Sequence, residues 1–343
     1  MDIKRQANKN RIIADIVKNT GISLYDVQRV VDYILKSMKE DLGDIAELDT
    51  PVQFGIASFD SMIKCYPGIV LIYSPADMGK TSVLKSIAKG LNKQGLAVLY
   101  IDAECKLYLH NLTELDGVYF VNASNIAAAK RLIQSRLIDA VIVDTISSIP
   151  ANTMKAFMMT LRKYVPFIIL GSQMRIDIDK HKLVPACSDG IQSTAHTHIF
   201  LTNSEKISFE MLDMRRVQFA LMKYEKNNEL IRMRNSFVIY DNYVDNFWSA
   251  VDKLHSNGYI RSSGSIKYLE DDKFNSYAEL ISNESLLNKF NDIFSKLMNL
   301  ESFYGPTYSN TDRILQQMLN TRRKNQQDYL SDNEEQQLNT ICY

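Results

Sequence analysis

Ser74, Pro75, Ala76, Asp77, Met78, Gly79, Lys80, Thr81 and Ser82 follow directly on the apolar run 68–73. A glycine, a lysine and a hydroxyl in succession, between a strand and a helix, are the residue types that hold a polyphosphate. Backbone N–H groups curl around the anion and the helix N-terminus faces it. The lysine neutralises its outer phosphates, and the hydroxyl ligates Mg2+. The glycine that ordinarily opens such a loop is here Ser74, and its place before Pro75 already biases it to an extended backbone. A chance Gly-Lys-Thr at a helix start is the plainer reading, but the strand before it and the helix after it weigh against chance. The expectation is a bound nucleotide held by 74–82, with Lys80 on the phosphates and Thr81 on the metal.

Polar side chains arrive where such a loop needs them. In "DAVIVDT" the apolar residues are followed by Asp144, a carboxylate at the C-terminal end of a buried strand, the edge at which open α/β sheets bind ligands. Asp144 is expected to hold Mg2+ through water. Alone, a strand-end Asp is more often a turn cap. The run "VLYIDAE" closes on Glu104, a candidate general base for the attacking water. "FIILGSQMR" brings Gln173, an amide able to sense the terminal phosphate.

The elements that must position these groups can be read from the hydrophobic pattern. Apolar runs at 68–74, 96–102, 117–123, 139–145, 166–172 and 198–203 are separated in several places by helical stretches. In the stretch 80–92, Val83, Leu84, Ile87 and Leu91 share one face. Apolar strands alternating with helices predict an α/β fold with a mainly parallel sheet covered on both sides. Before this core, Ile12, Ile13, Ile16 and Val17, and then Val27, Val30, Val31 and Ile34, predict an N-terminal helical hairpin within 1–45. It is read chiefly as a packing or self-association element. It also resembles the opening hairpin of the HU family of DNA-bending proteins, without their β-arms. The ATPase-like core is expected over 46–245, a small α+β C-terminal domain over 246–305, and a helical, polar and mobile tail over 306–343.

Composition bounds the rest. Lys plus Arg equals Asp plus Glu at 40 each, so net charge argues neither for nor against a nucleic-acid partner, since a neutral total can hide a local basic groove. The four cysteines are scattered, with no metal-ligand spacing, as expected of thiols in a reducing cytoplasm. No apolar run reaches the ~18 residues of a membrane span, and the charged N-terminus lacks a signal-peptide core. A cytoplasmic protein with no membrane partner is expected.

In their order and spacing these motifs resemble one family, the RecA-type homologous recombinases and their phage relatives, from about 54 to 298. "FGIASFDSMI" resembles the segment before the family's ATP site, "SPADMGKTS" its phosphate loop and "YIDAE" its catalytic-glutamate strand. "DAVIVDTISSI" resembles its metal-acid strand, and "LGSQMR" its sensor strand. "ALMKYEKNN" resembles the strand that sends lysines into the neighbouring protomer's ATP site, making Lys223 and Lys226 candidates. "GYIRSSGSIKYLEDDKFNSYAELISNESLLNKF" resembles the C-terminal domain. The resemblance implies a RecA-like P-loop ATPase core using ATP and Mg2+. It also implies a helical filament on single-stranded DNA that pairs with homologous duplex and exchanges strands in recombination and repair.

The family contacts DNA through two loops. The second corresponds to 174–195, long, polar and interrupted by Gly and Pro, and expected to be mobile. In it Arg175, Lys180, His181 and Lys182 are candidates for phosphate contacts, while Asp177, Asp179 and Asp189 balance them. The first loop is short here: between Asp144 and Gln173 the chain has room for one helix and little loop. Either DNA is met differently, or the ATPase persists without full strand exchange. Two further classes stay open: a RecA-fold motor or regulator of helicase-like type, and an accessory filament protein.

Overall fold

The computed structural model of the chain describes residues 51–105, 117–122, 126–134, 138–177 and 182–300. The expected N-terminal hairpin and the polar tail lie outside the described residues. The chain divides into two compact units at Asp245/Asn246.

The first unit is a mixed α/β fold built on one large, mostly parallel sheet. Its strands are β1 (Gly68–Ser74), β2 (Val98–Asp102), β3 (Val118–Asn122), β4 (Ala140–Asp144), β5 (Phe167–Asp177), β6 (Lys182–Pro185), β7 (Thr197–Phe209), β8 (Leu212–Tyr224), β9 (Arg234–Tyr240) and β10 (Tyr243–Asp245). They lie in the order β3-β2-β4-β5-β1-β7-β8-β9-β10, with β6 paired to β5 off this path. From β3 to β7 neighbouring strands run parallel. From β7 to β10 they run antiparallel. The helices are α1 (Ala57–Asp60), α2 (Lys80–Lys93), α3 (Ile126–Gln134), α4 (Ala151–Tyr164) and α5 (Asp189–Thr194).

The parallel strands are apolar on both faces because both faces are covered. Val70, Ile72, Val98, Tyr100, Ile142 and Ile169 point to one side, where Val83, Leu84, Ile87 and Leu91 of α2 pack on them. Their alternates Leu71, Leu99, Val141, Val143 and Leu170 point to the other, against Ala129 and Ile133 of α3 and Phe157 and Leu161 of α4. This is the period of two of a strand meeting the period of 3.6 of a helix. Truncating Leu84, wholly buried, to Ala is expected to cost about 2–5 kcal/mol.

The segment entering the sheet lies directly on α2. A Cβ at Gly90 would stand 2.3 Å from the Phe54 carbonyl oxygen, and one at Gly55 would stand 2.5 Å from Gly90 Cα. Two residues without side chains let backbone meet backbone there. The Asp60 carboxylate fixes the turn, accepting from the Phe54 N–H at 2.6 Å and the Gly55 N–H at 2.9 Å.

The expectation of an irregular loop at 174–195 is corrected for its described residues, which form regular elements. β5 runs on through Asp177, β6 pairs back antiparallel to it, with Arg175 opposite Val184 and Ile176 opposite Leu183, and α5 follows. Alternation supplies the reason: Met174, Ile176, Leu183 and Pro185 stand among polar residues at strand spacing, and Ser188 caps α5 by accepting from the Ile191 N–H.

The second unit is small and α+β. It comprises α6 (Asn246–Ser256), a three-stranded antiparallel sheet of β11 (Ile260–Ser263), β12 (Ile266–Leu269) and β13 (Asp272–Phe274), then α7 (Tyr277–Ser282) and α8 (Glu284–Met298). An aromatic cluster holds it: the Trp248 ring centroid lies 5.1 Å from Phe247 and 5.2 Å from Tyr277, and Phe247 lies 5.4 Å from Phe290. Ser276 and Glu279 form a reciprocal cap at the start of α7. The Ser276 hydroxyl accepts from the Glu279 N–H, and the Glu279 carboxylate accepts from the Asn275 N–H.

Candidate functional site: one edge of the parallel sheet

β1 delivers the chain to its edge at Ser74, a buried residue still in strand conformation. The left-handed backbone positions come later, at Asp77 (φ 59°) and Gly79 (φ 84°). A glycine at 74 is therefore not required by the path of this loop, and the Ser74 hydroxyl donates to the Pro75 carbonyl at 2.8 Å. Gly79 is different. A Cβ there would stand 2.3 Å from Ile239 Cδ1 on β9, besides the strain of its positive φ. Lys80 and Thr81 open α2, both half-buried. No side chain caps this helix at Gly79, so its first N–H groups face the loop without side-chain acceptors, the arrangement in which a helix start takes an anion.

The acids converge because of strand order. β5 lies between β1 and β4, and β2 lies beyond β4. Ser74 stands level with Gln173, and Asp102 stands level with Asp144. Asp144 is buried, with both carboxylate oxygens engaged: Oδ2 accepts from the Tyr100 hydroxyl at 2.9 Å and Oδ1 from the Thr145 hydroxyl at 3.1 Å. Burial pushes the Tyr100 phenol well above its ordinary pKa, and the neighbouring Asp144 charge pushes the same way. Tyr100 thus stays a donor at all ordinary pH. Just past β2, the half-buried Glu104 accepts from Gln173 Nε2 at 2.7 Å.

Lys80, Thr81, Glu104, Asp144 and Gln173 all stand at this edge. Lys223 does not. It pairs with His198, which pairs with Leu71 rather than with Ser74. Its Nζ donates to the Ala195 carbonyl at 2.6 Å and the Ser193 carbonyl at 3.1 Å, and pairs with Glu225 at 2.9 Å. Within its own chain it closes the C-terminal end of α5. Lys226 is exposed, its Nζ 4.7 Å from the Tyr66 ring centroid. Arg175 is exposed on β5 and Lys182 opens β6. Lys180 and His181 lie outside the described residues.

Two residues at the edge are not marked by the sequence pattern. Tyr100 sits in an apolar run and reads as core; only a hydroxyl one strand from an acid would have marked it. Arg215 lies on β8, and its Nη2 donates to the Asp77 carbonyl of the loop at 2.8 Å. The adjacent pair Arg215-Arg216 is the signal that could have found it, since neighbours on a strand face opposite ways.

Among the described residues, no group of three or more His, Cys, Asp or Glu is placed to hold a metal ion, and no helix is long and apolar enough to cross a membrane. Compared with known proteins, the chain matches no family model and no curated protein.

Proposed function

We propose that the chain is a DNA-dependent ATPase of the RecA type that assembles as a filament on single-stranded DNA and promotes homologous pairing. The observation that carries this reading is the Glu104–Gln173 hydrogen bond at the edge that also carries the loop and Asp144. In this reading the loop holds ATP, with Lys80 on the outer phosphates. Glu104 takes a proton from the attacking water, and Gln173 senses the terminal phosphate and reports it to Glu104. Mg2+ would neutralise charge on the phosphates. Thr81 and Asp144, one hydroxyl and one carboxylate, suit it because this ion keeps several waters and takes few protein ligands. The Tyr100 and Thr145 hydroxyls hold the Asp144 carboxylate in place.

DNA is assigned to the hairpin of β5 and β6, which leads directly from Gln173 and carries the exposed Arg175. A sensor and a DNA contact on one strand give ATP state a short route to DNA affinity. The test is binding of single-stranded oligonucleotides, with ATP, across a salt series. Affinity is expected to fall as salt rises. Replacing Arg175 and Lys182 together is expected to flatten the slope by about 0.7 for each phosphate no longer neutralised. Binding that ignores both salt and ATP would oppose this assignment.

One observation favours a second reading, an accessory filament protein. Between Asp144 and Gln173 the chain holds a single 3-10 turn (Ile146–Ser148) and α4, with no long loop. Strand exchange assayed separately from binding distinguishes the two.

A further inference from the structure

Arg215 and Arg216 are consecutive on β8, so their side chains leave opposite faces. Arg216 pairs at 2.6 Å with Glu205, directly across on β7. Arg215 turns to the loop instead. Its Nη2 donates to the Asp77 carbonyl and would lie 3.2 Å from a Cβ on Gly79. Its Nε is shielded from water and meets no acceptor among the described residues. Asp77 and Gly79 are the two residues that give the loop its left-handed turns. The guanidinium therefore rests on the part of the loop whose curl makes the anion cradle, and it brings a positive charge there. A buried, unpaired guanidinium N–H is costly unless something completes it. An anion in the cradle is the group whose charge it would complement.

We propose that Arg215 is a nucleotide-binding residue of the same chain. It holds the Asp77–Gly79 crown in its anion-binding shape and supplies a second cation, besides Lys80, to the polyphosphate. This inference rests on the reading of 74–82 as a nucleotide loop. It differs from that reading in naming β8 as part of the site and in predicting that selectivity scales with phosphate charge. It also explains why β7 and β8 run on past the level of Ser74: the extension carries Arg215 to the loop.

The test is equilibrium binding of ATP, ADP, AMP and adenosine, each with Mg2+, to the wild-type chain and to Arg215→Ala and Arg215→Lys, with thermal melting of all three proteins. Arg215→Ala is expected to bind ATP roughly ten- to hundredfold more weakly, the range for losing a charge-assisted hydrogen bond. The loss should shrink from ATP to AMP and vanish for adenosine. Arg215→Lys, which keeps the charge and loses the fork, is expected between wild type and Arg215→Ala. A residue that only staples β8 to the loop would change melting and leave the ranking of the four ligands alone. Wild-type ATP binding with unchanged affinity in folded Arg215→Ala overturns this inference alone. If Arg215→Ala does not fold, Arg215→Lys with wild-type affinity and ranking does the same. Absence of ATP binding to the wild-type chain overturns the nucleotide reading and this inference with it.

Discussion

Gln173 Nε2 donates to Glu104 Oε1 at 2.7 Å, joining β5 to the residues just past β2, two strands that β4 separates in the sheet. A carboxylate that accepts from an amide is held in one orientation while remaining an acceptor, which is what a base needs before its water arrives. Replacing Glu104 by Gln keeps its size and removes the carboxylate proposed as the base. The variant is expected to bind ATP and hydrolyse it ~10²–10⁴-fold more slowly. Single-turnover hydrolysis beside nucleotide binding checks this, and wild-type turnover in Glu104→Gln would assign the base elsewhere.

The loop makes a paired prediction. Ser74 is extended and buried, so Ser74→Gly relieves no strain there, and it removes the hydroxyl bonded to Pro75. It is expected to leave ATP affinity within about twofold and to lower stability by about 0.5–1 kcal/mol through added backbone freedom. Gly79→Ala places a methyl 2.3 Å from Ile239 Cδ1 at a positive φ. It is expected to abolish binding and to destabilise the fold by at least ~1–3 kcal/mol. Binding isotherms and urea titrations on both variants compare them directly.

The parallel half of the sheet is legible in the sequence because strands buried on both faces read as unbroken apolar runs, as at 68–73 and 140–143. The same logic fails for β7 and β8 past the level of Ser74. Glu205 and Lys206 are consecutive, as are Arg215 and Arg216, and the two charged pairs face each other across the hairpin, so neither the extent of these strands nor their reach to the loop shows in a hydropathy pattern. The hairpin of β5 and β6 is hidden by its charges, Arg175 and Lys182 among them. The site shows a similar division. The loop and the strand-end acids are readable by type and position, whereas Tyr100 and Arg215 act through a hydroxyl and a guanidinium whose partners lie on a neighbouring strand and on the loop.

Lys223 presents a choice between two roles that one experiment separates. In its own chain it donates to two carbonyls at the end of α5. Lys223→Ala is therefore expected to cost about 1–2 kcal/mol of stability, with little of it from the exposed Glu225 pair. If Lys223 also serves an adjacent subunit's ATP, mixing Lys223→Ala with Lys80→Ala is expected to restore part of the turnover that each lacks alone. No recovery in the mixture assigns Lys223 to α5 only.

Asp60 sets a pH dependence. Burial pushes its carboxyl from an ordinary 3.8 up to about 7, against the lowering effect of the backbone bonds from Phe54 and Gly55. The folded state therefore holds this proton where the unfolded state has lost it. Asp60's contribution to stability is full below about 4 and declines as pH rises towards 7. Urea unfolding at several pH values in this window is expected to show that decline, and Asp60→Asn is expected to flatten it. An equal slope in Asp60→Asn would place the titrating group elsewhere.

The central claim, that ATP chemistry at this edge answers to DNA, is tested most directly by the steady-state rate of ATP hydrolysis with and without single-stranded DNA, using Lys80→Ala as the blank. Hydrolysis is expected to rise when single-stranded DNA is added, to be lost in Lys80→Ala and to grow more than proportionally with protein concentration as subunits assemble. Hydrolysis that is unchanged by single-stranded DNA and strictly proportional to protein concentration would contradict it, leaving a motor or regulator built on the same sheet.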